Sequence, residues 1–328
     1  MRLLVLGGTE FVGRAVVEAA VARGWRVTVL NRGRHTVTQA GVVSLRGDRT
    51  APDGLAALSG RSFDAVVDTW SWAPSAVTAS ASLLSSVAGS YAYVSSRSVY
   101  AWPAPRGAAE DAPLVPPSDD LADYAGIKRA GELAAIEHFG DRALLVRAGL
   151  ILGPQENVGR LPWWLTRIAR GGDVLAPGPA SLPLQYVDVR DLAEWTLDAL
   201  AAGLGGAYNL VSPPGHATMS SLLAACADAT GASAALRWAD PEPILDAGVE
   251  PWTDLPIWLP PGETHDAMHT SDVSRALATG LRCRPVAETV ADTWAWLRSI
   301  GGVAPQRDDR PPLGLDPDTE AALLKRLT

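Results

Sequence analysis

Short apolar runs alternate with longer segments of helical periodicity over the first 150 residues. The apolar runs predict strands at Arg2–Leu6, Arg26–Leu30, Val42–Arg46, Asp64–Asp68, Tyr91–Ser95 and Ala143–Arg147. The segments between them predict helices, of which the clearest are Phe11–Arg23, Pro74–Ala88 and Asp119–Phe139. Strands that are apolar almost throughout and alternate with helices are typical of a parallel sheet covered on both faces. The pattern therefore predicts an α/β fold with a doubly wound parallel sheet.

The alternation loosens beyond Gly153. The elements predicted there are helix Val158–Arg170, strand Gln185–Val189 with a helix through Ala201, strand Ala207–Val211, and helices Thr218–Thr230, Val286–Ile300 and a short one after Asp316. The stretch Asp240–Gly262 is rich in proline and tryptophan and predicts an ordered loop or lid. We expect a sheet domain of residues 1–155 plus about 183–205, and a smaller carboxyl-terminal lobe of about 156–182 plus 206–328.

Composition narrows the class of protein. Of the 328 residues, 47% are apolar and 20% are charged, which is ordinary for a folded soluble chain. The net charge of −8 argues against a nucleic-acid partner and an anionic membrane surface, since both attract basic patches. No apolar run reaches the roughly 18 residues of a membrane span. Two cysteines, Cys226 and Cys283, exclude a disulfide framework and fit a reducing, cytoplasmic setting.

The first strand ends in a glycine-rich turn that opens directly into a helix. Backbone N–H groups and the helix dipole at such a turn bind the pyrophosphate of a dinucleotide. Gly7 permits the tight turn, and Gly13 lets the helix pack against the strand. We assign to this contact Gly7, Gly8, Thr9, Glu10, Phe11, Val12 and Gly13. The alternative is an ordinary strand-to-helix turn.

The end of the second strand predicts which dinucleotide binds. An acidic residue at this place would bind a ribose 2′-hydroxyl and favour NAD(H). The chain has Asn31, Arg32 and Arg34 instead, and arginine suits a 2′-phosphate. NADP(H) is therefore the preferred cofactor, NAD(H) is possible, and the alternative is that the arginines only face solvent. Asp48, after the third strand, is a candidate for the adenine amino group or for a solvated loop carboxylate.

A tyrosine and a lysine stand four residues apart, at Tyr124 and Lys128, in a chain whose only other lysine is Lys325. On a helix they share one face. An ammonium beside a phenol lowers the pKa of the phenol, which then exchanges a proton with a carbonyl oxygen during hydride transfer. Lys128 would also bind the nicotinamide ribose. The alternative is a surface helix pair.

Three serines lie where the fifth predicted strand ends, and ligands of open parallel sheets bind at that edge. A serine hydroxyl there can bind the substrate carbonyl and later the alkoxide. We choose Ser96 for this role. The alternative is that these serines only satisfy a turn at the strand end.

Taken together, these residues resemble the extended short-chain dehydrogenase/reductase family, including its atypical NAD(P)-dependent epimerase/reductase-like branch. The resemblance covers nearly the whole chain and rests on the order of its motifs: GGTEFVG at Gly7–Gly13, SSRSVY at Ser95–Tyr100, YAGIK at Tyr124–Lys128, RAGLILGP at Arg147–Pro154, QYVDVRDLA at Gln185–Ala193 and YNLV at Tyr208–Val211. It implies a Rossmann-like nucleotide-binding domain and a catalytic triad of Ser96, Tyr124 and Lys128. It also implies nicotinamide contacts from the loop after Arg147.

Further cofactor contacts follow from this resemblance. Gly149, Leu150 and Leu152 would offer backbone or apolar contacts to the nicotinamide ring. We also assign to the cofactor Asp68, which ends the fourth predicted strand, and Thr69, which follows it.

Two features depart from the family pattern. Glu10 stands where the glycine turn usually has its middle glycine, so its carboxylate must point away from the pyrophosphate. Nucleotide-sugar members often carry an arginine shortly before the QYVDV-like strand, where it helps bind the diphosphate. Ser181–Leu184 contains none, and this absence argues against a nucleotide sugar.

The chain has twelve tryptophans and only three phenylalanines. Apolar aromatic walls suit a hydrophobic or aromatic ketone, and we assign to the substrate Trp70, Trp102, Trp163 and Trp164. Ordinary core and lid packing is the alternative for each of them. We expect NADPH-dependent reduction of a ketone by a Ser-Tyr-Lys mechanism. The rivals are a nucleotide-sugar epimerase or dehydratase that uses bound NAD(P), and a non-catalytic NADP(H)-sensing protein.

No metal site is expected. His265 and His269 have the spacing of a helical zinc motif, but the glutamate of that motif is missing and no helix is evident there. A small-molecule substrate is the expected partner, and the chain is expected to be a monomer or a homodimer.

Overall fold

The computed structural model describes residues 1–33, 39–307 and 312–326. Its strands are β1 Arg2–Leu6, β2 Arg26–Asn31, β3 Val43–Arg46, β4 Phe63–Asp68, β5 Ala88–Ser96, β6 Ala143–Ala148, β7 Leu150–Leu152, β8 Gly172–Pro177, β9 Pro183–Leu184, β10 Tyr186–Asp188, β11 Gly206–Leu210, β12 Ala217–Thr218 and β13 Ala234–Ala239. Its helices are α1 Phe11–Ala22, α2 Ser75–Leu84, α3 Tyr124–Phe139, α4 Arg160–Ala169, α5 Val189–Ala201, α6 Met219–Thr230, α7 Pro241–Asp246, α8 Glu263–His269, α9 Ser274–Ala278, α10 Val286–Ser299 and α11 Pro317–Arg326.

A seven-stranded sheet forms the centre of the described chain, in the order β11-β6-β5-β4-β1-β2-β3. Every neighbouring pair in it is parallel. The strand order reverses between β1 and β4, and ligands of open α/β sheets bind at the carboxyl ends beside such a switch point. The expected doubly wound, Rossmann-like fold is confirmed.

Both faces of this sheet are covered by apolar packing. On one face the core includes Val5, Val29 and Val67 from the strands and Val16 and Leu192 from α1 and α5. The other face packs side chains of β4 and β5 against helices α2 and α3. Two buried layers of this kind explain why the central strands are apolar almost throughout.

A second lobe packs around its own core. Helices α4, α6, α10 and α11 and the parallel pair β8–β13 contribute to it. The buried side of α4 is the stripe Leu161, Trp164, Leu165 and Ile168, at the spacing of one helix face. Trp258 is also completely buried in this core.

The chain crosses between the sheet and the lobe at other places than expected. We assigned residues 206–328 to the lobe, but Gly206–Leu210 form β11, the edge strand beside β6. The side chains of Tyr208 and Leu210 are buried there, which explains why this apolar segment completes the main sheet. Strand β10, expected at Gln185–Val189, is shorter and pairs with β7 outside the main sheet.

Helix α3 is fixed at its start and along its length. The Asp123 side chain accepts a hydrogen bond from the Gly126 N–H at 2.9 Å, which caps the helix just before Tyr124. Gly131 lets the helix lie close to β5, since a Cβ at that position would come within 2.5 Å of the Tyr93 side chain. Tyr124 therefore starts the helix at the edge of the sheet, and Lys128 follows one turn deeper.

Among the described helices, none has the length and apolar character needed to cross a bilayer.

Candidate active site

The glycine turn after β1 forms a cradle. Gly7 and Gly8 have φ angles of +120° and +87°, which side-chain-bearing residues rarely adopt. A Cβ on Gly7 would come within 2.4 Å of the Thr69 hydroxyl oxygen. Glu10 precedes α1 but makes no side-chain capping bond to it. The first N–H groups of α1 thus face a space that suits an anion.

A groove of about 280 Å³ runs over this turn. The predicted cofactor residues that line it are Gly7, Gly8, Thr9, Glu10, Phe11, Val12, Gly13, Asn31, Arg32 and Thr69. Glu10 is exposed, and its carboxylate accepts a hydrogen bond from the Asn157 amide at 3.1 Å, which turns it toward the loop before α4. Phe11 carries a φ of +25°, a strained value of the kind that clusters at binding sites.

Among the described residues, Asp48 and Asp68 were also assigned to the cofactor but do not line the groove. Arg34 lies outside the described residues. Asp48 is exposed and accepts hydrogen bonds from the backbone N–H and the hydroxyl of Thr50, so it caps its own loop. Asp68 is completely buried, because its carboxylate forms a bidentate ion pair with Arg49 at 2.8 and 3.0 Å. Asp68 was assigned to the cofactor because it lies at a strand end. Its carboxylate pairs instead with Arg49, a residue that was not considered from the sequence.

A second cavity, of about 600 Å³, adjoins the groove. Both share a boundary formed by Phe11, Ser71, Trp72, Asn157 and Arg307. The cavity brings together residues far apart in the chain that the sequence analysis assigned to the nicotinamide end, namely Ser96, Tyr124, Gly149 and Leu150. Leu152 is not among them, since it is completely buried in the core of the lobe.

Ser96 and Tyr124 reach the cavity from neighbouring elements. Ser96 ends β5, is half-buried, and its hydroxyl oxygen accepts a hydrogen bond from the Ser98 N–H at 3.1 Å. Tyr124 is 39% exposed, so its phenol is accessible from the cavity. A hydroxyl and a phenol on one wall are the groups required to bind and protonate an oxygen atom of a substrate.

Lys128 lies directly behind this wall and lines neither space among the described residues. It is 2% exposed, and its ammonium donates to the carbonyl oxygens of Trp70 and Val94, both at 2.7 Å. The ammonium also lies 4.9 Å from the centre of the Tyr93 ring, in cation–π geometry. Burial lowers the pKa of Lys128 to about 7, although the charges of Asp68 and Glu132 oppose this effect.

The four tryptophans assigned to the substrate have different positions. Trp102 lines the cavity and is 53% exposed, whereas Trp70 lines the cofactor groove and stacks on Arg49 at 5.0 Å. Trp163 is partly buried against the lobe core, and its assignment stays a prediction, whereas Trp164 lies within that core and its assignment is wrong. Trp164 is completely buried and donates to the Pro256 carbonyl at 2.7 Å. Its place on the buried stripe of α4 explains the error.

Three cations that the sequence analysis missed line the cavity, namely Arg97, Arg160 and Arg307. Arg97 is 7% exposed and donates to the carbonyls of Met268 and Ala267, both at 2.7 Å. Burial lowers the pKa of Arg97 to about 10, so its guanidinium stays charged at neutral pH. In the sequence, only the position of Arg97 directly after Ser96 indicated that one of these arginines lies near the cavity.

Arg160 lies at the first position of α4, and its guanidinium stacks over the Trp252 ring at 5.2 Å. The buried carboxylate of Glu156 holds this helix start, because it accepts from the N–H groups of Arg160 and Leu161 at 2.7 and 3.2 Å. Burial raises the pKa of Glu156 to about 7. Arg97, Arg160 and Arg307 thus make positively charged side chains part of the cavity lining.

The histidine pair lies on α8, where no helix was evident from the sequence. The His265 and His269 rings are 5.0 Å apart, and both are buried. His269 Nδ1 accepts from the Gln185 N–H at 3.0 Å, and His265 Nε2 contacts the Pro183 carbonyl oxygen at 2.9 Å. No group of three or more metal-binding side chains occurs in the described parts of the chain.

The two spaces fit the two halves of a dinucleotide. The glycine cradle and the start of α1 match a pyrophosphate, and the cavity at Ser96 and Tyr124 matches the reacting end. Such a cofactor would supply hydride transfer, and Ser96 and Tyr124 offer hydroxyl groups that can exchange a proton or donate a hydrogen bond at the reacting end.

Comparison with known proteins identifies the family. A sequence model of the NAD dependent epimerase/dehydratase family matches residues 3–210. Comparison with curated protein sequences gave no match.

Solved structures share the fold. The Bordetella bronchiseptica enzyme WbmH in complex with NAD+ has a TM-score of 0.69 at 19% identity, over 92% of this chain and 99% of that chain. Thermus thermophilus UDP-glucose 4-epimerase in complex with NAD has a TM-score of 0.64 at 22% identity, over 92% and 100% of the chains. Bacillus cereus UDP-glucuronic acid 4-epimerase in complex with NAD has a TM-score of 0.64 at 15% identity, over 92% and 99%.

The family match covers more than half of the chain, and the expected resemblance to extended short-chain dehydrogenases/reductases is confirmed. The chain therefore belongs to the NAD dependent epimerase/dehydratase family, as an NAD(P)-dependent enzyme.

Proposed function

We propose that the protein is an epimerase or dehydratase of a nucleotide-activated sugar that keeps its NAD(P) bound during turnover. The observation that carries this proposal is the charge of the 600 Å³ cavity. One wall bears Ser96 and Tyr124, and Arg97, Arg160 and Arg307 line the same space. Guanidinium groups are the usual ligands of diphosphates.

This proposal replaces net ketone reduction as the favoured function. The missing arginine at Ser181–Leu184 argued against a nucleotide sugar. Arg160 and Arg307 offer the same chemistry from other segments of the chain. The family match and the NAD-bound sugar-nucleotide epimerases among the structural neighbours also support this choice.

Each residue of the reacting wall has a role in the proposal. The Tyr124 phenolate oxygen takes the proton of a substrate hydroxyl in the oxidation half-reaction and returns it in the reduction half-reaction. The Ser96 hydroxyl donates a hydrogen bond to the same substrate oxygen. The Lys128 ammonium favours the phenolate form of Tyr124. A bound nicotinamide supplies reversible hydride acceptance.

For the cofactor, Arg32 and Asn31 support a preference for NADP(H) over NAD(H). Both line the groove at the end of β2, and neither is the acidic residue that a free 2′-hydroxyl would favour. The NAD-bound neighbours make NAD(H) the competing choice.

A reductase of hydrophobic ketones is the second candidate. Trp72 and Trp102 are exposed at the cavity, by 43% and 53%, and Trp252 also lines it. Aromatic walls of this kind suit an apolar carbonyl compound.

Competition binding and turnover separate the two candidates. Uridine diphosphate and thymidine diphosphate should compete for one binding site on the protein. Arg160→Ala should weaken the binding of both about tenfold, because one charge-assisted contact is lost. The matched control is Arg170→Ala, since Arg170 is exposed at the end of the same helix. Turnover of a sugar nucleotide should stop in Tyr124→Phe. NADPH consumption with neutral ketones, without any diphosphate binding, would instead establish the reductase.

A further inference from the structure

Asp68 is fully enclosed at the end of β4, although a strand end of this sheet is where ligands bind. Its carboxylate accepts four hydrogen bonds. Two come from Arg49 at 2.8 and 3.0 Å, one from the Tyr91 hydroxyl at 2.5 Å and one from the Trp70 N–H at 2.9 Å. Four donors around a buried carboxylate hold it in one position.

The Trp70 peptide connects this carboxylate to Lys128. Its N–H donates to Asp68, and the carbonyl oxygen of the same residue accepts from the Lys128 ammonium at 2.7 Å. The Trp70 indole N–H donates to the Ala73 carbonyl at 2.9 Å, and its ring stacks on Arg49. These contacts hold the Trp70 peptide in place, so its carbonyl offers Lys128 a well-positioned acceptor.

The charged and titratable groups around Lys128 come from four elements. Asp68 lies at the end of β4, Tyr93 on β5, Glu132 on α3 one turn after Lys128, and Arg49 between β3 and β4. Of the two carboxylates, Asp68 has the larger effect on the pKa of Lys128, and both raise it.

These two carboxylates differ in how their charge is balanced. Glu132 pairs with two guanidinium groups, from Arg147 at 2.8 and 3.0 Å and from Arg129 at 2.9 Å. Asp68 pairs with one, Arg49, which is also the member of the pair that lines the cofactor groove. Asp68 is therefore the less neutralised charge behind the reacting wall.

Resting on the proposed roles of Tyr124 and Lys128, we propose that Asp68 is a positioning residue of this site. Through the Trp70 peptide it fixes the position of the Lys128 amine, and its negative charge, offset by Arg49, favours the ammonium form. The Arg49 guanidinium, which pairs with Asp68, sets how strongly the negative charge of Asp68 acts on Lys128.

The proposal predicts effects of opposite sign. Asp68→Asn keeps the shape but removes the charge, so the pKa of Lys128 should fall by about 1. Arg49→Gln removes the balancing cation, so the pKa of Lys128 should rise by about 1. The matched control is Tyr91→Phe, which deletes a hydrogen bond to the same carboxylate without changing any charge. It should leave the pKa of Lys128 within about 0.3 of the wild-type value.

The chain offers a direct probe, because Lys128 and Lys325 are its only lysines. Lysine labelled with ¹³C at Cε gives two signals in NMR spectra of the full-length protein, and Lys325→Met assigns them. The pKa of Lys128 is read from its Cε shift against pH without substrate or cofactor. This measurement is independent of the proposed function.

Opposite pKa changes in Asp68→Asn and Arg49→Gln support the proposal. An unchanged pKa in Asp68→Asn, or a change of the same sign in all three variants, overturns it. Where Arg49→Gln leaves a buried carboxylate unpaired and fails to fold, the double variant Asp68→Asn, Arg49→Gln removes both charges together. Its Lys128 pKa should lie above that of Asp68→Asn, and a value equal to or below it also overturns the proposal.

Activity then tests the catalytic part. With any substrate that the wild type turns over, the apparent pKa on the alkaline side of the pH profile of kcat should shift in the same direction as the Lys128 pKa in each variant. If this apparent pKa does not change while the Lys128 pKa measured by NMR does, the positioning role is overturned. Failure of the proposed function is a separate result, since it appears as wild-type turnover that Tyr124→Phe does not change.

Discussion

The buried ammonium of Lys128 predicts a specific dependence of stability on pH. Burial lowers its pKa in the folded protein to about 7, from an ordinary value of 10.5. Between these two values the unfolded chain holds a proton that the folded chain has lost. The unfolded state thus binds more protons, so the free energy of unfolding rises with pH across this window. More than about one pH unit below 7 or above 10.5, the group contributes almost no slope.

The magnitude follows from these two values. One pKa unit corresponds to about 1.4 kcal/mol, and the slope is near half of that at pH 7 and near its full value by pH 8. From pH 7 to pH 9 the contribution of Lys128 should therefore rise by about 2 kcal/mol. Lys128 is 2% exposed, so solvent screening does not reduce this figure appreciably.

Lys128→Met removes the titration while keeping an unbranched apolar side chain. Its stability at one pH is not diagnostic, since it avoids the burial of a charge but leaves the carbonyls of Trp70 and Val94 without their donor. The pH slope is diagnostic. In urea unfolding of the cofactor-free protein at pH 7, 8 and 9, the free energy of unfolding of the wild type should rise by about 2 kcal/mol relative to that of Lys128→Met.

Lys325→Met is the matched control, because Lys325 is exposed near the end of α11. It should follow wild type at every pH. A difference in the free energy of unfolding between wild type and Lys128→Met that stays constant from pH 7 to pH 9 would contradict this prediction, since Lys128 would then keep its proton in the folded state. Lys128→Met should also lower kcat at least about 100-fold, the usual loss when a general acid–base group loses its support.

Two further predictions test the cofactor site and the tryptophan assignments. Arg32→Ala should weaken NADPH binding about tenfold more than NADH binding, because one charge-assisted contact to the 2′-phosphate is lost. The control is Arg26→Ala, since Arg26 is exposed at the opposite end of β2. Equal effects of Arg32→Ala on both cofactors would contradict the assignment. Trp164→Ala should destabilise the protein by about 3–5 kcal/mol in urea unfolding, as expected for a large side chain lost from a core. Trp102→Ala, at the open cavity, should change stability by less than about 0.5 kcal/mol while raising KM, and the reverse ranking of the two variants would overturn this reassignment.

Local patterns in the sequence predicted the frame of the site. The apolar run Arg2–Leu6 is β1 with the predicted bounds, and the glycines after it adopt the positive φ angles that such a turn requires. The four-residue spacing of Tyr124 and Lys128 falls on the first turns of α3. These features were predictable because each depends on residues that are close in sequence.

The pairing of Asp68 with Arg49 could not be predicted in the same way. A carboxylate at a strand end faces either the ligand or a neighbouring loop, and only the fold brings the Arg49 guanidinium to it. The cavity cations are a similar case, since Arg97, Arg160 and Arg307 meet only after the lobe packs on the sheet. The burial of Lys128 behind the wall also depends on this long-range packing.

The error at Trp164 was avoidable from the sequence. Leu161, Trp164, Leu165 and Ile168 repeat with the period of one helix face, and this stripe indicates a core position. Aromatic composition alone led to the substrate assignment. The spacing of an aromatic residue relative to its apolar neighbours is the better guide to whether it packs in a core or lines a cavity.

In the proposed function, hydride leaves the substrate and returns to it within one site. The measurement uses sugar nucleotides that carry deuterium at the carbon to be oxidised, with wild-type protein and Tyr124→Phe. We expect an isomerised or dehydrated product that retains the deuterium, no net formation of NAD(P)H, and no reaction in Tyr124→Phe. Stoichiometric oxidation of NADPH by neutral ketones, with sugar nucleotides left unchanged, would contradict it.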